Sequence, residues 1–428
     1  MVIHVVTPGD TLYSIALEYG VPMSQISLDN GLEQPQNLVT GQALVIRFPQ
    51  VTHTVLPGQT LFAIAQQYGV SLRQLFQNNP ILIGQENIWP GETLVISYRQ
   101  EPGPLISVNA YAYPHISDAL LRAALPYLTY LTPFTYGFTP EGAPVEPRDE
   151  RLIAAARSFS VASLMHLSTL TEEGGFSNEL AHLLLNDPEL QDRLIVNVIA
   201  TLREKGYSGL DVDFEYVFPE DAAQYAAFLG TLTRRLNSLG YPVIAALAPK
   251  TSSTQRGALY EGHDFAAIGT AVNKVLLMTY EWGYTYGPPM AVAPLPNVRQ
   301  VVEYALTEIP AGKIWLGIPN YGYDWPLPFI QGQTKATSIS SQQAIALARR
   351  YGVAIQYDER AQSPWFRYTD ENGVEHEVWF EDARSIQAKL SLIPEYGLEG
   401  AGYWNLMREF PQNWLVLSSL YQIRQGLT

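Results

Sequence analysis

The chain has 428 residues, 47% of them apolar, which is enough for at least one substantial folded core; cysteine is absent, excluding disulfide staples and thiolate metal or redox sites. A formal net charge of −15, from 41 acidic and 26 basic residues, argues against a nucleic-acid binder, which needs a concentrated cationic face. The opening MVIHVVTPGDTLYSIALEYG lacks the basic segment and apolar run of a secretion signal, and no stretch approaches the ~20 apolar residues of a bilayer span, so neither a secretion address nor membrane insertion is expected.

The first hundred residues hold a repeat. HVVTPGDTLYSIALEYGV, His4 to Val21, returns as HTVLPGQTLFAIAQQYGV, His53 to Val70, at an offset of 49. Each copy predicts a short strand, a Pro-Gly turn, and a helix that starts near Thr11 or Thr60 and stops at Gly20 or Gly69. A second helix is expected over Met23 to Asn30 and Ser71 to Asn79, followed by a returning strand in GQALVIRF and GETLVISY. Both βααβ units resemble LysM modules, which bind N-acetylglucosamine polymers such as peptidoglycan and chitin. The resemblance implies binding loops around Pro8 to Thr11 with Asn30 to Leu32, and around Pro57 to Thr60 with Asn79 to Ile81. The expected boundaries are 1–49 for the first module, 50–99 for the second, and 100–428 for the remainder, after the charged, Pro/Gly-containing RQEPGP.

From Leu105 onward, strand-like apolar runs alternate with helical patterns. The runs are Leu105 to Tyr111, Tyr127 to Phe134, Ser160 to Ser168, Gly209 to Phe214, Val243 to Pro249, Lys274 to Tyr280, Lys313 to Pro319 and Gly400 to Leu406. Helices are expected over Asp187 to Lys205 and Glu220 to Ser238. Eight such units predict an α/β fold, a (β/α)8 TIM barrel. An open doubly wound sheet is the alternative, but no Gly-rich phosphate turn follows the first run. The surplus between the last two strands, about residues 320–395, is read as a small α+β insertion, with Tyr351 to Phe380 antiparallel and DENG, Asp370 to Gly373, as its hairpin turn.

The sharpest chemical signal is SGLDVDFEY, Ser208 to Tyr216. On a strand, period two sends Asp211, Asp213 and Glu215 to one side and Val212 and Phe214 to the other. Three carboxylates at the end of a buried barrel strand are costly unless they share protons, hydrogen bonds or a catalytic task. Mutual repulsion raises at least one pKa, and the group at the strand end is the one able to reach a leaving oxygen. A bare D-x-D-x-E also occurs as capping or solvent-facing charge.

On a fourth barrel strand, however, this segment resembles the D-G-x-D-x-D-x-E signature of glycoside hydrolase family 18, the chitinase-like barrels; Ser208 stands where the leading Asp would be. MTYEW, Met278 to Trp282, resembles that family's Met-x-Tyr-Asp segment with Glu281 for Asp, and GYWNL, Gly402 to Leu406, its closing aromatic segment. The resemblance implies substrate-assisted, retaining hydrolysis. Glu215 is then the general acid and base, Asp213 orients the 2-acetamido group and stabilises positive charge, Asp211 supports Asp213, Tyr280 hydrogen-bonds the acetamido carbonyl, and Trp404 floors the reacting sugar. Further aromatic and polar candidates for substrate binding near strand ends are Tyr111, Tyr136, Tyr321, Glu281 and Trp282.

The seven histidines show no paired ligand spacing, so neither a metal nor another cofactor is expected; His4 and His53 read as packing or hydrogen-bonding residues within the repeats. The combination of tandem LysM-like modules and a family 18-like barrel resembles cortex-fragment-lytic N-acetylglucosaminidases of endospore-forming bacteria. That resemblance implies peptidoglycan as partner and substrate, cleavage of β-1,4 N-acetylglucosaminyl bonds, and residence in the spore coat or cortex region. A chitinase or chitooligosaccharide hydrolase, and a non-catalytic glycan-binding coat protein, are the alternatives.

Overall fold

The computed structural model describes residues 1–83 and 87–426. In the first repeat, Val2–Val5 pairs antiparallel with Ala43–Ile46 around helices Leu12–Tyr19 and Met23–Asp29. In the second, Pro49–Thr54 pairs with Thr93–Tyr98 around Leu61–Tyr68 and Leu72–Asn78. Thr11 and Thr60 cap the first helix of each copy by accepting the N–H groups of Ser14 and Ala63. Gly20 and Gly69 end those helices at φ of 65° and 66°, which glycine adopts at no steric cost. His4 and His53 each meet a tyrosine hydroxyl, Tyr19 and Tyr68, at 3.1 Å.

The two modules are small, and each closes its core around an asparagine. The side chain of Asn30 exchanges hydrogen bonds with the backbone of Val45, and Asn79 does the same with Val95, fixing the second helix to the returning strand. The modules also lean on each other and on the larger domain. Arg47 pairs with Asp29 at 2.8 Å, lies over the Tyr98 ring and reaches the Gln77 carbonyl. Arg73 donates to the carbonyls of Pro126 and Leu128.

In the larger domain, eight parallel strands close into a barrel: Leu105–Ala112, Tyr130–Pro133, Ala162–Ser168, Gly209–Asp213, Val243–Leu247, Lys274–Leu277, Ile314–Pro319 and Gly400–Trp404, with the eighth pairing back onto the first. The second strand is shorter than its apolar run because Leu125–Tyr127 forms a 3-10 turn. Fully buried aliphatic and aromatic residues such as Val212, Phe228, Val275 and Leu316 fill the layer between the strands and the outer helices. Inside the barrel lie Tyr111, Leu164, Ile244, Leu276 and Trp315, beneath Phe134 and Trp404. Helices Pro188–Lys205 and Ala222–Asn237 take their expected places.

After the seventh strand the chain builds a five-stranded antiparallel sheet, ordered Thr337–Ile339, Gly322–Pro326, Glu375–Trp379, Ser363–Thr369, Gln356–Asp358. It draws in residues well before Tyr351, because Gly322–Pro326 pairs with Glu375–Trp379 and becomes its inner strand. The turn at Asp370 to Gly373 joins the strands around it as a hairpin. Helix Ala383–Leu390 then returns to the barrel, burying Ala383, Ile386 and Leu390 in the strand-helix layer. The first module packs against both parts: the N–H of Ile355 donates to the Thr40 carbonyl, and Gln412 of the barrel donates to Asn30 and Ala43. Among the described residues no helix is long and apolar enough to cross a membrane.

Candidate functional site

The fourth strand sits between the third and fifth, with Asp211 opposite His166 and Asp213 opposite Ser168. Period two then separates its side chains. Val212 and Phe214 enter the outer core, where Phe214 stacks on Tyr225 and Phe228. Asp211 and Asp213 turn into the barrel, fully buried and 9% exposed respectively. The strand ends at Asp213, so Glu215 stands just past it, partly exposed, and makes no side-chain hydrogen bond among the described residues. The peptide between them is pinned. Ala248 N–H donates to His263 Nδ1 at 3.0 Å, which leaves the proton on Nε2 to donate to the Phe214 carbonyl at 3.0 Å.

Asp211 accepts the Tyr111 hydroxyl at 2.6 Å. Asp213 Oδ2 lies 3.5 Å from His166 Nε2, whose other nitrogen lies 2.6 Å from Thr135 Oγ1. One oxygen of each aspartate, Oδ1, is buried without a hydrogen-bond partner. Such orphans are expensive in a folded protein and point to a group that arrives from outside. Burial pushes Asp211 up to about 6, against the pull of His166 and Tyr111, and pushes His166 down to about 4. Burial also raises Asp213; Glu215 is raised by burial first, then by the charges of Asp213 and Glu281. A carboxyl kept protonated beside buried carboxylates is suited to give a proton at neutral pH.

Tyr280 and Glu281 follow the sixth strand. Gly317, on the seventh, makes room for them: a Cβ there would lie 2.3 Å from the Leu277 carbonyl and 2.9 Å from the Tyr280 ring. Burial, then the charges of Asp213, Glu215, Glu281 and Asp211, hold the Tyr280 phenol well above its ordinary value, so its hydroxyl lies in the field of all four carboxylates. Glu281 has φ of 66°, a left-handed conformation uncommon for a side-chain-bearing residue, and its carboxylate accepts the hydroxyls of Tyr321 and Tyr323. Trp404, at the end of the eighth strand, packs among Tyr111, Tyr113 and Phe134 with ring centroids 4.9 to 6.0 Å apart. A cleft opens beside it, lined in part by Tyr113, Glu281, Tyr321 and Tyr323.

Asp211, Asp213, Glu215, Tyr280, Glu281, Tyr321 and Trp404 thus converge at the C-terminal mouth of the barrel. Tyr111 lies one layer below, 2% exposed, with its hydroxyl committed to Asp211. Tyr136 is not brought to this group. Tyr136 is fully buried in the outer core, its hydroxyl donating to Asp149. Trp282 packs against that same outer layer. Sequence reasoning did not single out His166, His263 or Tyr323. A histidine inside the apolar run ASLMHLS was a usable signal, as was the period-two spacing of Tyr321, Tyr323 and Trp325; nothing local marks His263. Among the described residues no group of three or more His, Asp or Glu is gathered to hold a metal ion.

The family model for Glycosyl hydrolases family 18 matches residues 130–409, and that for the LysM domain matches residues 4–47 and 53–97. The chain is 44% identical to a cortical fragment-lytic enzyme of Bacillus subtilis, with 99% of both chains covered, and 41% identical to a protein of the same description from Bacillus anthracis, with 98% of both covered. Among solved structures, the Bacillus cereus spore cortex-lytic enzyme SleL superposes with a TM-score of 0.85 at 39% identity, over 100% of this chain and 99% of that one. A chitinase from Chromobacterium violaceum superposes at 0.69 and 27% identity, over 73% of this chain and 98% of the other. With its ladder on the fourth strand, its tyrosine after the sixth and its tryptophan closing the eighth, the chain belongs to glycosyl hydrolase family 18 and carries two LysM domains ahead of the barrel.

Proposed function

We propose that this chain hydrolyses N-acetylglucosamine-containing peptidoglycan, in particular cortex or cortex fragments of bacterial spores, by retaining cleavage of β-1,4 N-acetylglucosaminyl bonds. The observation that carries the reading is the ladder itself: an acid held protonated at the cleft, Glu215, next to Asp213, whose buried Oδ1 has no partner in the protein. An N-acetylated sugar seated on Trp404 supplies that partner, its acetamido N–H donating to Asp213. Tyr280 donates its hydroxyl to the acetamido carbonyl oxygen.

Glu215 then protonates the glycosidic oxygen as the bond from that oxygen to the anomeric carbon breaks. The acetamido oxygen attacks the same carbon, forming a cyclic oxazolinium ion whose positive charge faces Asp213. Glu215, now ionised, takes a proton from water while the water oxygen opens the ring, so configuration is retained. Asp211, held by Tyr111, keeps Asp213 turned toward the substrate. Tyr321 and Tyr323 fix Glu281 on the cleft wall. The chain divides into modules 1–49 and 50–99 and a catalytic domain 100–428, and the two modules hold the enzyme on its polymer by raising local concentration.

The experiment is mass spectrometry of the reducing ends released from purified spore cortex and from chitin oligomers. New N-acetylglucosamine reducing ends from cortex, absent with Glu215→Gln, support the reading. Muramic reducing ends contradict the bond assignment, and activity confined to chitin oligomers makes the protein a chitinase.

A further inference from the structure

The loop after Trp404 carries a cation that this chemistry leaves unused. Arg408 stands half-buried on the wall of the same cleft as Trp404, Tyr321 and Tyr323. One terminal nitrogen donates to the carbonyl and hydroxyl of Ser338, at 3.1 and 2.9 Å. Among the described residues the rest of its fork has no hydrogen-bond partner and no carboxylate at ion-pair distance. Elsewhere two buried cations face a carboxylate, Arg47 with Asp29 and Lys389 with Glu381, each at 2.8 Å, while Arg73 gives two of its nitrogens to carbonyls and Lys250 donates to the His263 carbonyl. The nearby Glu281 carboxylate is turned onto the two tyrosine hydroxyls, and Glu409 is exposed. Burial disfavours the Arg408 charge, so an arriving anion is favoured.

Arg408 also borders a second hollow, formed by Pro80 and Ile83 of the second module with Tyr127, Phe410 and Trp414. Arg408 therefore lies between the cleft and a hollow that the second module helps to form. Peptidoglycan and chitin share N-acetylglucosamine, but in peptidoglycan every second sugar is a muramic residue with a lactyl ether, whose carboxyl group is free or extended by a peptide stem except where, in spore cortex, it is closed as a lactam. A planar fork with unused donors matches a carboxylate in two-point contact.

We propose that Arg408 binds the carboxylate borne by the alternate sugar of the glycan, on its lactyl group or its peptide stem, and so selects peptidoglycan over a neutral N-acetylglucosamine polymer. This rests on the reading of the cleft given above.

The test compares kcat/KM on four matched tetrasaccharides: lactyl carboxylate free, lactyl converted to a primary amide, lactyl extended by a peptide stem, and N-acetylglucosamine alone. The free acid or the stem-bearing glycan should exceed the amide by at least about tenfold, the scale of a charge-assisted two-point contact, through KM and less so at high salt. Whichever of the two exceeds it identifies the source of the carboxylate. Arg408→Gln should bring that ratio close to one, and Arg408→Lys should keep part of it. A wild-type ratio near one for both substrates, or a ratio that Arg408→Gln leaves intact, overturns the proposal. Should Arg408→Gln fail to fold in a thermal melt, the wild-type ratio and Arg408→Lys still decide. Failure of the wild type to cleave any of the four overturns the underlying reading instead.

Discussion

His166 Nε2 lies 3.5 Å from Asp213 Oδ2, and burial holds that imidazole neutral by pushing it down to about 4. A neutral ring lies beside Asp213 without cancelling its charge. The negative charge is therefore left to act on whatever enters the cleft and on Glu215 beside it, whose proton it helps to retain.

Glu215→Gln is expected to lower kcat by about 10³-fold or more, the upper range of general acid catalysis, with little change in glycan binding. The same change removes a half-buried carboxyl that the neighbouring Asp213 and Glu281 repel. The variant should therefore melt higher than the wild type at alkaline pH, by roughly a degree or two, as expected where an active site sacrifices stability. Calorimetry beside a single-turnover assay checks both halves.

The alkaline limb of kcat/KM should follow loss of the Glu215 proton, displaced upward from the ordinary glutamate range by burial and by Asp213. Asp213→Asn removes part of that push, so the limb should move to lower pH while the maximal rate falls by about 10²-fold or more. A pH–rate profile in which the limb stays in place contradicts the coupling.

Stability has its own pH signature. Carboxyls whose folded pKa is raised, such as Asp211 at about 6 with Asp213 and Glu215, bind more protons folded than unfolded, so they make stability fall as pH rises through their folded values. His166 and His263, both lowered to about 4, have the opposite effect, but only below their unfolded value of 6.5. From about pH 6.5 to about pH 8 the carboxyl effect acts without theirs, and Tm should decline. Glu215→Gln, which removes the carboxyl that titrates highest in this window, should flatten the decline.

The barrel was legible because its eight strands are apolar runs bounded by turns, and the ladder because Asp211, Asp213 and Glu215 share a period of two. What the sequence concealed is what depends on contacts between distant residues. His263 pins the Phe214 carbonyl from across 49 positions, and Tyr321 and Tyr323 reach Glu281 from the inserted sheet's side. Tyr136 was misleading for the same reason: it follows the second strand, as a cleft residue would, but Asp149 and Lys205 draw it into the outer core. The inner strand Gly322–Pro326 was missed because its pairing partner lies some fifty residues later.

Docking of the first module rests on a buried contact that one substitution should loosen. Gln412 Nε2 donates to Asn30 Oδ1 at 3.0 Å and to the Ala43 carbonyl at 2.8 Å. Gln412→Ala leaves two buried acceptors short and should cost about 1–3 kcal/mol. Limited proteolysis should then cut near residues 30 to 42 sooner, and hydrogen exchange at Val45 should accelerate.

The central claim is that the substrate's own acetamido group is the nucleophile, with Glu215, Asp213 and Tyr280 arranged around it. The most direct measurement is cleavage of two matched oligosaccharides that differ only at the reacting sugar, N-acetylglucosamine in one and glucosamine in the other, with the anomer of the product followed by NMR. We predict that the N-acetylated substrate is cleaved with retention and that its partner is slower by at least about 10³-fold, within the range an oriented internal nucleophile supplies. Comparable rates on both, or an inverted product, would contradict the mechanism.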